Sequence, residues 1–143
     1  MKISTRGRYS LRMMIDLAQH YNDGFTSLKD IAKRQNISKK YLEQIIPFLT
    51  RGRLLASNKG HTGGYMLSRS PEDITVKDIL LCAEGSLAPV SCMDNSPNLC
   101  EHCESCVTLP IYEGLYEVVL NYFESITLQS IIDRNRNGDD YSI

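Results

Sequence analysis

Ser27-Leu28-Lys29-Asp30-Ile31-Ala32-Lys33-Arg34-Gln35-Asn36-Ile37-Ser38-Lys39-Lys40-Tyr41-Leu42-Glu43-Gln44-Ile45-Ile46 is the stretch that decides the fold. Ser27 can cap a helix in which Asp30 takes the third position, where a carboxylate favours the positive end of the helix dipole. Leu28, Ile31 and Ala32 give that helix an inner face. Gln35-Asn36-Ile37 breaks it, and Ser38 can cap a second helix that runs on through Pro47-Phe48-Leu49. A short helix, a three-residue break and a capped helix with a basic, polar first turn form a helix-turn-helix pattern. The major groove admits such a helix end, so Lys39, Lys40, Glu43 and Gln44 are candidates for base or phosphate contacts, with Ser38 and Tyr41 beside them. A helical hairpin with solvated lysines would show the same spacing. Pro47 predicts a kink or a division into two pieces, because an interior proline loses a backbone bond and clashes with the preceding turn.

The next segment separates these readings. Leu54–Asn58 and Tyr65–Ser68 read as two strands, and Lys59-Gly60-His61-Thr62-Gly63-Gly64 between them reads as a flexible basic tip. Glycine supplies positive φ in such a turn and lets backbone approach a phosphate closely. A helix-turn-helix followed at once by a β-hairpin is a winged helix. Arg53, Lys59, Gly60 and His61 would then meet the DNA backbone or minor groove. Upstream, Met1–Ser4 reads as a short strand or arm, and Arg6-Gly7-Arg8 leads into a helix beginning near Tyr9. Leu11, Met14, Ile15 and Ala18 give that helix an amphipathic stripe, and Asn22-Asp23-Gly24 closes it. Arg8 joins the candidate DNA contacts.

Charge supports this division. Residues 1–70 hold 13 Lys and Arg against 4 Asp and Glu, whereas residues 71–143 hold 3 against 13. The overall charge of −1 therefore conceals a basic front half and an acidic back half, the asymmetry expected of a nucleic-acid-binding region joined to a second device. No apolar run approaches the roughly 18–20 residues that a membrane helix needs. The first residues lack a signal peptide's apolar segment, so the expected location is the cytoplasm. No nucleophile–base pair, phosphate-binding glycine loop or paired-carboxylate signature is present, and an enzyme is not expected.

In the acidic half, Thr75 can cap Val76–Glu84, whose Val76, Ile79, Leu80 and Ala83 should pack on the winged domain, with Cys82 as a small apolar member of that face. Pro110–Glu124 follows later as a helix with two apolar rows, Ile111, Leu115, Val118 and Tyr122, and Tyr112, Tyr116, Val119 and Phe123. A helix apolar over so much of its circumference must be buried on more than one side. A second copy of the chain is the natural cover, and a two-fold dimer of winged domains predicts a pseudo-palindromic operator in double-stranded DNA. Thr127 can cap a last helix over Leu128–Asp133. The expected architecture is mainly α with a small β-hairpin. Residues 1–84 form a winged helix-turn-helix domain, 85–108 a cysteine-rich loop, and 109–143 a dimerisation helix and C-terminal helix.

That loop places Cys92, Cys100, Cys103 and Cys106, four of the chain's five cysteines, within fifteen residues, spaced Cys-x7-Cys-x2-Cys-x2-Cys. Four soft thiolates suit an iron–sulfur cluster or tetrahedral zinc. The tight run resembles the opening of a bacterial ferredoxin pattern, although Leu109-Pro110 stands where that pattern has Cys-Pro. A zinc knuckle usually pairs two Cys-x2-Cys units, and only one tight run is present. A reversible disulfide between two of the thiols is the third reading. His102, inside the run, reads as a solvated histidine.

Three motifs carry a resemblance: the opening Met1-Lys-Ile-Ser-Thr-Arg-Gly-Arg-Tyr9, the helix Ile37-Ser-Lys-Lys-Tyr41-Leu42-Glu43-Gln44, and the wing Gly63-Gly64-Tyr65-Met66-Leu67. Together they resemble the Rrf-two-type bacterial regulators, the family of the iron–sulfur regulator IscR, the nitric-oxide sensor NsrR and the cysteine-metabolism regulator CymR. The resemblance runs from Met1 to about Leu128. It implies a homodimeric winged-helix transcription factor, a repressor in this reading, with a cluster loop ahead of a long dimerisation helix. It also implies a [2Fe–2S] or [4Fe–4S] cluster on three loop cysteines, which align with Cys92, Cys100 or Cys103, and Cys106. The glutamate that tunes base choice in the family corresponds to Glu43, and the wing arginine corresponds to Lys59, which keeps charge but loses the planar fork. Where cluster-binding members take a fourth ligand from a histidine or an N-terminal acidic residue, this chain has Leu109 and Arg8. The extra cysteine can fill that gap. Some members carry no cluster, so a cluster-free or zinc-bound regulator of cysteine or sulfur metabolism, acting through a metabolic enzyme partner, is the alternative.

Overall fold

The computed structural model describes residues 1–61 and 63–137. Thr62, in the expected wing tip, and the polar tail from 138 onward lie outside the described residues. Among the described residues, six α-helices and one hairpin follow in order: α1 Thr5–Gln19, α2 Leu28–Gln35, α3 Lys39–Arg51, β1 Leu55–Asn58, β2 Gly64–Leu67, α4 Val76–Glu84, α5 Leu109–Glu124 and α6 Leu128–Arg136. Single 3₁₀ turns occupy Tyr21–Asp23, Pro71–Asp73 and Ser91–Met93.

Hydroxyl caps fix most helix starts. Ser27, Ser38, Thr75 and Thr127 each accept a hydrogen bond from the amide three residues on, satisfying one of the donors that a helix start leaves open. The first helix begins earlier than its apolar stripe suggests. Ser4 caps it by accepting from the Gly7 amide, and residues 1–4 form no strand. The Ser4 amide and hydroxyl also both donate to Glu84 Oε1, at 3.0 and 2.6 Å, which ties the chain start to the end of α4.

The helix α3 is continuous through Pro47. Leu42, Ile45 and Leu49 are fully buried, whereas Lys40, Glu43, Gln44 and Pro47 fall on the exposed stripe. The amide that proline lacks would have bonded the Glu43 carbonyl on that wet side, where water can serve instead. The expected division at Pro47 is therefore absent.

Met13, Met14, Leu17, Ile31, Leu42, Ile45, Leu49, Leu54 and Leu67 close one core around the helix-turn-helix and hairpin. Leu128 and Ile132 of α6 enter the same core. Backbone bonds from Val76 N to Ile126 O (2.9 Å) and from Leu128 N to Ile74 O (3.0 Å) lock the caps of α4 and α6 side by side.

The hairpin is antiparallel, pairing Leu55 with Leu67 and Asn58 with Gly64. Thr26 adds a bridge on its other edge, exchanging both backbone hydrogen bonds with Tyr65 at 2.9 and 2.8 Å. A Cβ on Gly64 would lie 2.2 Å from the Thr26 carbonyl oxygen. Close backbone approach is thus the physical reason for glycine at that position.

Candidate DNA-reading surface and cysteine loop

Ser38, Lys39, Lys40, Glu43 and Gln44 are all exposed at the start of α3, while Tyr41 is half-buried. The Ser38 hydroxyl accepts from the Tyr41 amide at 3.1 Å, so it serves first as the cap of the helix that presents the other four. Arg53 is exposed and adopts φ +59° just beyond α3. Its carbonyl accepts from the Ser68 hydroxyl at 2.5 Å, which holds this left-handed corner against the end of the hairpin. Lys59, Gly60 and His61 are exposed at the hairpin tip, with Gly60 at φ +116°. Arg8 is exposed in the first turn of α1 and bonds the Thr5 hydroxyl at 3.1 Å. The next residue, Tyr9, meets Tyr41 edge-on with ring centroids 5.3 Å apart. The fold thus sets the starts of α1 and α3 side by side.

One polar cluster was not foreseen from the sequence. Asp16 on α1 is 1% exposed. Arg34 grips both its oxygens, Nε to Oδ2 at 2.9 Å and a terminal nitrogen to Oδ1 at 2.7 Å, and Gln35 Nε2 adds a third bond at 3.0 Å. The hydrogen bond to Asp16 raises the Arg34 pKa above its ordinary value. This bidentate pair pins the last turn of α2 against α1. The available signal was a carboxylate inside the otherwise apolar run Met13–Ala18, since a buried charge requires a partner.

Behind the wing, α5 lies on α4. Tyr116, Leu120 and Phe123 pack against Val76, Leu80 and Leu87, and Lys77 Nζ pairs with Glu124 Oε2 at 2.9 Å. The other row stays open: Ile111 is 67% exposed, Leu115 44%, Val118 66% and Tyr122 61%.

The loop Gly85–Thr108 joins the two helices. Its four cysteines are free and half-buried. Cys103 N bonds Cys100 O at 3.2 Å, and Asn98 Oδ1 accepts from Cys100 N at 2.9 Å, which folds the tight run on itself. Cys106 sits at the approach to α5, 3.3 Å from the Thr108 hydroxyl. Bonding to that hydroxyl, then to the Thr108 and Leu109 amides, lowers its pKa. Cys82 is half-buried against the core, and burial raises its pKa. A Cβ on Gly52 would lie 2.1 Å from its sulfur, so the thiol fills the contact between α3 and α4. Among the described residues, no group of three or more His, Cys, Asp or Glu side chains is close enough to hold a metal ion. The donor set suits a cluster in kind and number. His102 is exposed.

Comparison with known proteins decides the identity. Residues 3–134 match the family model Rrf2, described as an iron-dependent transcriptional regulator. The chain belongs to the Rrf2 family. It is similar to the solved IscR of T. potens, with a TM-score of 0.78 and 36% identity, covering 100% of this chain and 94% of that one. It is similar also to the solved CymR of B. subtilis, the global cysteine regulator of that organism, with a TM-score of 0.69, 37% identity and 92% and 95% coverage. Protein rrf2 of Nitratidesulfovibrio vulgaris is 37% identical over 132 residues, 92% of this chain and 87% of that protein. As an Rrf2-family member the chain is a DNA-binding transcriptional regulator with a winged helix-turn-helix, and it is not an enzyme. No helix among the described residues is long and apolar enough to cross a membrane.

Proposed function

We propose that this Rrf2-family protein is a homodimeric repressor in which the state of the cysteine loop sets affinity for a pseudo-palindromic operator. The observation that carries the proposal is the open row of α5, which begins three residues after Cys106. A second copy covering Ile111, Leu115, Val118 and Tyr122 removes four large apolar side chains from water, each worth about 1.5–3 kcal/mol when fully buried. The same helix packs through Tyr116, Leu120 and Phe123 onto α4, and α4 packs onto α3 through Cys82 and Gly52. A shift of the loop at the start of α5 is thereby coupled by direct packing to the helix that reads DNA.

Cys92, Cys100, Cys103 and Cys106 would hold an iron–sulfur cluster, closing the loop around it. When bound, that group supplies reversible one-electron chemistry and sensitivity to oxidants. The chain's own residues would orient the ligands: Asn98 Oδ1 accepts from the Cys100 amide and shapes the backbone of the tight run, and the Thr108 hydroxyl lies beside the Cys106 thiol. Arg8 and Lys59 join α3 and Arg53 on the DNA side, and Glu43 sets base preference.

Anaerobic purification of the full chain, followed by visible spectroscopy and iron and sulfide assays, tests the loop. Visible absorption that is lost in the Cys→Ser variants is expected. A colourless protein with stoichiometric zinc would overturn the cluster. A second reading is supported by one finding, the similarity to the B. subtilis CymR, the global cysteine regulator of that organism. In that reading the chain is a cluster-free or zinc-bound regulator of cysteine or sulfur metabolism working with an enzyme partner. Reproducible recovery of one metabolic enzyme, with colourless protein, would select it.

A further inference from the structure

Tyr9, Arg12 and Asp16 lie three and four residues apart and so share one face of α1, and all three make contact with the helix-turn-helix. The Arg12 guanidinium donates to both the side-chain oxygen of Gln35, at 3.4 Å, and the Gln35 backbone carbonyl. That carbonyl belongs to the last residue of α2, at the end of a helix where carbonyls lack intrahelical donors and positive charge is favoured. Gln35 is held from the other side too, since its amide nitrogen donates to the buried Asp16. Arg12 also stands over the ring of Tyr9, at 5.4 Å from the centroid, and Tyr9 meets Tyr41 in the first turn of α3. Between these anchors the turn consists of Asn36, in the left-handed region at φ +53°, then buried Ile37 and the cap Ser38.

We propose that Arg12 is a positioning residue for sequence reading: its forked guanidinium clamps the end of α2 and, through Tyr9 and Tyr41, fixes the orientation of the first turn of α3. The inference rests on α3 being the DNA-reading helix. Arg12 is exposed, so its loss does not open the core. Its role requires the planar fork, because one group must reach a carbonyl and a side-chain oxygen while lying on an aromatic face. Lysine keeps the charge and cannot do this.

Arg12→Lys and Arg12→Gln separate positioning from a simple phosphate contact. Full-length protein is titrated, at several salt concentrations, against DNA selected by the wild type from a random pool and against a scrambled duplex. Both variants should lose specific over non-specific preference by about tenfold, the order of one lost base-pair discrimination. The salt slope on scrambled DNA should stay at the wild-type value for Arg12→Lys. If Arg12→Lys retains full preference, or if Arg12→Gln weakens both duplexes alike and lowers the slope by about 0.9, Arg12 is a phosphate contact only and the proposal fails. Glu43→Ala serves as the control. Altered base preference there, with no effect at Arg12, sinks the clamp alone, whereas no change at Glu43 would sink the assignment of α3 itself.

Discussion

Asp16 is a carboxylate only 1% exposed, and it is stable there because Arg34 and Gln35 hold it. The two members of the pair are unequal. Arg34 is 35% exposed and can turn to water if the carboxylate is removed, whereas Asp16 cannot. Arg34→Met should therefore cost about 3–5 kcal/mol, the range for stranding a buried charge, read as a lower urea midpoint at unchanged slope. Asp16→Ala should cost less than that. The cluster was hidden at the sequence level because it joins residues 18 and 19 positions apart, and nothing local names the partner. The caps were legible for the opposite reason: Ser27, Ser38, Thr75 and Thr127 each act within three residues of themselves. Ser4 acts equally locally, but the apolar stripe of α1 begins well after its cap, so the stripe does not point to it.

Among the elements, the hairpin was readable from its strand residues and glycine-rich tip, to within one residue at each strand. Its docking was not, since the Thr26 bridge to Tyr65 brings in a residue from before α2. Gly64→Ala should break that bridge, as the new Cβ meets a backbone carbonyl at 2.2 Å that has no side-chain freedom to yield. A loss of about 1–3 kcal/mol is expected, as for an overpacked contact. Hydrogen exchange at the Thr26 and Tyr65 amides should quicken with it. Unchanged protection at both amides would mean the wing is held by other contacts. In α3, Pro47 lies within one helix. Of the two outcomes expected there, a kink or a division, the unbroken helix excludes the division, and only the packed structure shows that the proline's stripe is the wet one.

For the whole molecule, the two halves distinguished by charge are joined by continuous packing from the cysteine loop through α5 and α4 to α3. The apolar face of α5 was evident in the sequence, and so was its excess over what one winged domain can cover. What covers it is proposed to be a second copy. Leu115→Lys with Val118→Lys should convert a species of twice the 16.2 kDa chain mass into the single-chain form in analytical ultracentrifugation. A wild-type protein already sedimenting as a single chain at micromolar concentration would remove the dimer. The linkage between loop and DNA is the central claim, and one titration reads it directly. Anaerobically purified protein is bound to its selected DNA before and after treatment with an iron chelator and oxidant, beside the variant with Cys92, Cys100, Cys103 and Cys106 all changed to Ser. The wild type should change affinity by about tenfold or more, within the range of typical coupling energies, and the variant should not respond. Equal affinity of the wild type before and after treatment would contradict the account.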